Sequence, residues 1–242
     1  MSRAMGVVVA GFGLVLALAA CTPNLKAADA GMPVVYQDDF QKGDPLAKWQ
    51  PTDPTQWKIA TVGDNKLLSL HKRKSAYKTK VRSPFSFAIL RDVCVGDFVL
   101  DLKMQSTTKD YGHRDLCLFF GHQDPTHFYY VHMALRADPC AHSVMVVDGK
   151  PRVTLIGKGG QNMGSDSYRT KGLVWGDGWH HVRLVRKVAT GLIEVYFDDM
   201  TTPIMRTHDK RFAWGTVGVG SFDDTGNYDD IVLRGIKVEA KK

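Results

Sequence analysis

Short runs in which apolar and polar residues alternate, each closed by Gly, Pro or Asp, are the feature that most restricts how this chain can fold. In "GDFVLDLKMQS" (96–106), Phe98, Leu100, Leu102 and Met104 share one face, while Val99, Asp101, Lys103 and Gln105 share the other. An extended chain sends successive side chains to opposite sides, so a period of two predicts a strand with one buried face. "HSVMVVDGKPRVTLIG" reads as strand, turn and strand, and "HHVRLVRKVATGLIEVYFDD" repeats the theme around Ala-Thr-Gly. "GTVGVGSF" and "YDDIVLRGIKVEA" add further strands. No segment carries a long helical period with caps. Regular strands with turn signals predict an all-β fold, an antiparallel two-sheet jelly-roll sandwich.

The richest stretch is "YGHRDLCLFFGHQDPTHFYYVHMA" (111–134), with four of the nine histidines. "LCLFFG" and "HFYYVHMA" read as two strands, and "HQDPT" as a loop built on Asp-Pro. A register that pairs Phe119 with Tyr130 and Cys117 with His132 puts Leu116, Leu118, Phe120, Tyr129, Val131 and Met133 on one face. That face predicts core. The other face carries His113, Asp115, Cys117, Phe119, Phe128, Tyr130 and His132. A slip of one residue would bury Asp115 and His132 in the core, which is costly. Aromatic rings stack on apolar sugar faces, and imidazole, carboxylate and hydroxyl groups bond sugar hydroxyls. His113, Asp115, Tyr130 and His132 are therefore the expected ligand-binding residues, exposed together in a groove, with Asp115 orienting an imidazole.

The first residues are of another kind. Arg3 precedes an apolar run of fifteen, Gly6 to Ala20, too short to span a bilayer comfortably and suited to a signal-peptide core. It ends in "LAAC" (18–21), which resembles the lipobox of bacterial lipoproteins. That resemblance implies acylation of Cys21 and anchorage on a membrane, outside the cytoplasm. The expected organisation is a lipoprotein signal peptide over 1–20, a tether over 21–33 and one jelly-roll domain over 34–242.

Net charge is +7. The densest cationic stretch is "HKRKSAYKTKVR" (71–82). Lysines on a strand edge discourage edge-to-edge pairing, and they also attract polyanions. For an exported protein the expected polyanion is an acidic polysaccharide or the cell envelope; no nucleic-acid partner is expected. Beyond Cys21 the cysteines are Cys94, Cys117 and Cys140, with no zinc-finger spacing. No close histidine pair has a strand geometry that suits one zinc ion.

"DDF" (38–40), "FFGHQDPTHFYYVHM", "GDGWHHVRLVR", "GLIEVYFDD" and "VGVGSFDDTGNYDDIVL", in that order, resemble the concanavalin A-like lectin/glucanase superfamily, closest to its laminin-G-like branches. The resemblance implies a concanavalin A-like jelly roll with a curved groove. It does not fix an activity, because that superfamily holds lectins, hydrolases, lyases and adhesion modules. It also implies a structural calcium on the convex side, with Asp39 and Asp230 as ligands. It places Trp179 in the core and leaves Trp175 free to line the groove. Glucanases of this fold carry paired carboxylates on one strand. This chain has only two glutamates, Glu194 and Glu239, far apart. If the chain is an enzyme, a polysaccharide lyase is favoured over a hydrolase, with His113, Tyr130, His132 and Arg114 as the catalytic group. The leading expectation is an exported lipoprotein that binds a carbohydrate, with the lyase or an atypical hydrolase second and an envelope scaffold third.

Overall fold

A computed structural model describes Met1 and residues 31–157 and 164–240. The segment read as a signal peptide and Cys21 lie outside the described residues, as do most of the stretch read as a tether and residues 158–163. The domain is described from Met32 onward.

The strands are β1 (Val34–Asp38), β2 (Trp49–Pro51), β3 (Trp57–Val62), β4 (Asn65–Leu70), β5 (Ser86–Leu90), β6 (Val95–Ser106), β7 (Asp115–Asp124) and β8 (His127–Ala134). They continue as β9 (Ser143–Asp148), β10 (Val153–Thr154), β11 (Tyr168–Arg169), β12 (His180–Lys187), β13 (Leu192–Phe197), β14 (Met205–His208), β15 (Thr216–Ser221) and β16 (Gly226–Lys237). Among the described residues there is no α-helix, only short 3-10 turns at Pro45–Lys48 and Pro54–Gln56. One sheet runs β11-β14-β13-β12-β6-β16-β4-β3, with β1 also on β16. The other runs β10-β9-β8-β7-β15-β5-β2. Neighbours pair antiparallel throughout, as in β6 with β12 and β7 with β8. The fold is an antiparallel two-sheet jelly-roll sandwich.

The alternation read in the sequence is the alternation that builds the core. Phe98, Leu100, Leu102 and Met104 of β6 meet Leu116, Leu118, Phe120, Tyr129, Val131 and Met133 of β7 and β8 in one cluster. Each such side chain contributes roughly 1.5–3 kcal/mol when fully buried. The register pairs Phe119 with Tyr130 and Cys117 with His132.

That register changes beyond Phe120. Against β8 it shifts between Phe120 and Asp124. Against β15, the three-residue step from Phe119 to His122 faces the two-residue step from Gly218 to Thr216. Gly121 has φ of 55°, a left-handed conformation that glycine adopts without strain. A Cβ on Gly215 would lie 2.2 Å from the Gly121 carbonyl carbon, so only glycine permits this close approach. The bulge reverses the phase of the strand and turns His122 outward.

Candidate functional site

The face expected to form a sugar groove is the outer face of the seven-stranded sheet, and much of it is closed. Phe87, Cys117, Phe119, Phe128, Tyr130, Met145 and Val147 form a second buried cluster there, with Val81 packed against them. Val81 belongs to the cationic stretch, which crosses this sheet as a strap between β4 and β5. Among the contacts that fasten the strap, three are spread along it. Asp53 Oδ2 accepts the Ala76 amide (2.7 Å), Arg82 O accepts the Arg152 amide (2.9 Å), and Arg73 Nη2 lies 3.1 Å from Asp224 Oδ1. Alternation told which way these side chains point, but not what lies above them.

Burial therefore corrects the expected binding residues. Tyr130 is fully buried and its hydroxyl has no hydrogen-bond partner. His132 and Asp115 are buried as a pair, with Nε2 and Oδ2 2.7 Å apart. His132 Nδ1 faces the Cys140 carbonyl oxygen at 3.0 Å, so the ring donates to both acceptors only with a proton on each nitrogen. Asp115 Oδ1 accepts from the Ser221 hydroxyl and from the Phe222 amide. Every polar atom of Asp115 is thus committed to holding loops together. His113 lies in the turn before β7, exposed, with Nε2 3.0 Å from Asp138. Arg114 is buried and donates to Ser106 Oγ, the carbonyls of Ser106 and Gly176, and Asp110. Of the group expected to act in a lyase, Tyr130, His132 and Arg114 are buried and His113 is exposed. Trp175 is buried in the core against Phe197 and His180, whereas Trp179 is exposed, the reverse of the expectation.

Beside the Asp115–His132 pair, Asp224 Oδ2 accepts the Asp115 amide (3.0 Å) and the Tyr111 hydroxyl (2.9 Å). Burial, partly offset by the Asp115 amide, pushes the Asp224 carboxyl up to about 6, and the Asp115 charge adds to the rise. Two trios of metal-ligating side chains occur among the described residues: Asp115 with Cys117 and His132, and Asp115 with Asp223 and Asp224. Both rely on the carboxylate of Asp115, which is already spent. Asp39 and Asp230 belong to neither trio. Asp39 Oδ1 accepts the Gln41 amide, and Asp230 Oδ2 lies 2.7 Å from the Lys103 ammonium. The Lys103 ammonium thus sits on one carboxylate of the expected calcium pair, and a backbone amide takes an oxygen of the other.

The open part of the same outer face lies at the other end of β7. There a cleft of about 700 Å³ is lined by Tyr77 of the strap, Gln50 of β2, Phe87 and Ile89 of β5, Thr216 of β15 and His122 of β7. Trp214, Gln123, Asp124, Arg91 and Asp92 complete its walls. The volume falls in the range of ligand clefts. The bulge at Gly121 is what delivers His122 here: its ring stands 5.5 Å from Phe128 and 6.1 Å from Phe87. Burial holds this imidazole down to about 4, with Asp124 opposing, so it is neutral at pH 7 and offers one donor and one acceptor. Gln123 Nε2 donates to the Trp214 carbonyl (3.0 Å), which ties the backbone at half-exposed Trp214 to β7. Arg91 Nε donates to the Trp49 carbonyl (3.2 Å), fixing the opposite wall. Aromatic faces with convergent amide, imidazole, carboxylate and guanidinium groups can seat a polar ring that has one apolar face. His122 was read as part of a loop, whereas β7 runs on to Asp124; a glycine inside a strand pattern is the bulge signal that could have placed it.

No family model and no curated protein matches the chain. Among solved structures, the carbohydrate-binding module CBM66 of Bacillus subtilis is similar at a TM-score of 0.52 and 14% identity, over 78% of this chain and 96% of that one. A mutant of the GH43 protein BlXynB of Bacillus licheniformis is similar at 0.53 and 12%, over 83% of this chain and 39% of that one. A Bacillus subtilis protein of unknown function with a galectin-like fold is similar at 0.51 and 11%, over 85% and 97%. At these identities the likeness is one of fold: a galectin-like jelly roll.

Proposed function

We propose that this protein is an exported glycan-binding jelly roll that seats a sugar chain in the cleft between β2 and the end of β7. The observation that carries the reading is the cleft itself, an open recess of about 700 Å³ with Trp214, Tyr77 and a neutral His122 on its walls. The likeness to a carbohydrate-binding module supports the same reading. Its seat is the outer side of a bacterial membrane, with acyl chains on Cys21 as the anchor; the apolar run before "LAAC" supports this. The test is a glycan array with the purified domain, repeated with Trp214→Ala. Hits that weaken with the substitution support the reading, and an array without hits overturns it.

One observation favours a second reading, an envelope scaffold with no glycan ligand. The strap fills the part of the outer face where the groove was expected, with Val81 seated on the aromatic cluster. The same array separates the two.

A further inference from the structure

The strap between Lys72 and Arg82 does more than cover the sheet. From Lys74 to Arg82 its exposure alternates residue by residue. Ser75, Tyr77, Thr79 and Val81 are half-buried toward the sheet, while Lys74, Ala76, Lys78, Lys80 and Arg82 are exposed. An extended chain advances roughly 3.3 Å per residue, so Lys78 and Lys80 stand about 7 Å apart, and the chain bends over 80–83 as it reaches Arg82. The sequence contains no acidic residue between Asp64 and Asp92. Among the described residues, the acidic partners that reach this strap are Asp53 and Asp224, with the Asp223 carbonyl; they take the Ala76 amide and the Arg73 guanidinium. The ammonium groups of Lys74, Lys78 and Lys80 and the guanidinium of Arg82 are left facing solvent. Lys150, exposed in the turn next to Arg152, lies by the strap's far end, because the Arg152 amide bonds the Arg82 carbonyl.

The row is held in place rather than loose. The Asp53, Arg152 and Asp224 contacts fix it, and Tyr77 and Val81 pack it onto the sheet. Fixing like charges side by side costs energy, and a matching line of anions relieves it. Because the row is already ordered, it loses less conformational freedom when a partner binds. Tyr77 belongs to both features: its neighbours Ala76 and Lys78 lie on the outward row, and its ring lines the cleft. A chain leaving the cleft past Tyr77 would therefore meet the cations.

We propose that the strap is the charge-reading part of the glycan site, and that the ligand is an acidic polysaccharide, bearing uronate or sulfate groups, whose anions lie along Lys74, Lys78, Lys80 and Arg82. This rests on the cleft being a glycan site and adds the class of glycan. Its test uses three immobilised or titrated probes: alginate, heparin and the neutral glucan laminarin. Vesicles containing phosphatidylglycerol are added as a separate arm. The variants are K78Q/K80Q/R82Q, a control K42Q/K210Q/K237Q with the same loss of charge elsewhere, and Trp214→Ala. The expected result is binding of alginate or heparin that falls about tenfold or more in the strap variant, changes little in the control, and is lost near 1 M salt, where screening reaches about 3 Å. Equal loss in strap and control variants would overturn the proposal while leaving the glycan reading intact. So would binding of laminarin alone, or binding of the anionic vesicles but of no polysaccharide. Retention of alginate binding in Trp214→Ala, with loss in the strap variant, would instead keep the charged row and overturn the cleft.

Discussion

The His122 imidazole stands 5.5 Å from the Phe128 ring, on the outer face of the seven-stranded sheet. Strict alternation along β7 would have sent His122 inward with Leu118 and Phe120. Gly121, in its left-handed conformation, and Gly215, pressed against its carbonyl carbon, reverse that order. Gly215→Ala forces a Cβ to within 2.2 Å of a backbone atom. It should lower stability by about 3 kcal/mol or more, because backbone must move. Gly121→Ala should cost about 1–2 kcal/mol through its left-handed φ. Urea unfolding of the two variants measures both.

The buried pair Asp115 and His132 is structural in this account. Asp115→Ala should destabilise the domain by about 3 kcal/mol, since it leaves a buried imidazole facing an empty place and frees the Ser221 hydroxyl. Glycan affinity at a temperature where the variant is folded should be unchanged. Thermal unfolding and a binding isotherm on the same sample check this. A selective loss of affinity would return the pair to the binding site.

Stability should fall with acid, and the sign follows from the histidines. Burial holds His122 and His142 down to about 4 in the folded protein, with the Arg169 charge adding to the effect at His142. In the unfolded chain both take a proton near 6.5. As pH falls from 6.5 toward 4 the unfolded state gains protons that the folded state refuses, so stability is lost, on the order of 2 kcal/mol for each histidine. Asp224, with its carboxyl raised to about 6, acts in the opposite direction between pH 6 and 4. His142 has φ of 50°, a conformation asparagine tolerates. His142→Asn should therefore flatten the acid side of a plot of melting temperature against pH; an unchanged slope contradicts the assignment.

The proposed anchor is acylation of Cys21, and Cys21→Ala removes that acceptor. The full-length protein should then move from the membrane fraction to the soluble fraction when expressed in a bacterium. Mass spectrometry of the wild type should show lipid on Cys21. Equal fractionation of the two proteins would contradict the anchor.

Much of the fold was legible because alternation is a direct imprint of the pleat. Phe98 to Met104 and Leu116 to Met133 fall into the core as their spacing predicts. The facing residues could be assigned a side, but not an exposure. Whether Tyr130 meets water depends on the strap, which joins it only in three dimensions. For the same reason Trp175 and Trp179 exchanged their expected places: the Gly-rich turn between them carries no period. The candidate site was half legible. Its aromatic and imidazole character was visible in the stretch around Tyr111 to Ala134, but the residue that reaches the cleft is His122, which was read as part of a loop and which β7 carries to the outer face through one bulge. The cationic row was plain as composition, and only the alternation of exposure along it shows that its charges share one side.

The most direct test of the proposed glycan-binding cleft is a crystal structure of the domain soaked with the tightest oligosaccharide from the array. The account predicts sugar density in the cleft, with one ring against Trp214 or Tyr77 and hydroxyls near His122 and Gln123. Density on the outer face of the nine-stranded sheet, or none anywhere despite binding in solution at the same concentration, would contradict it.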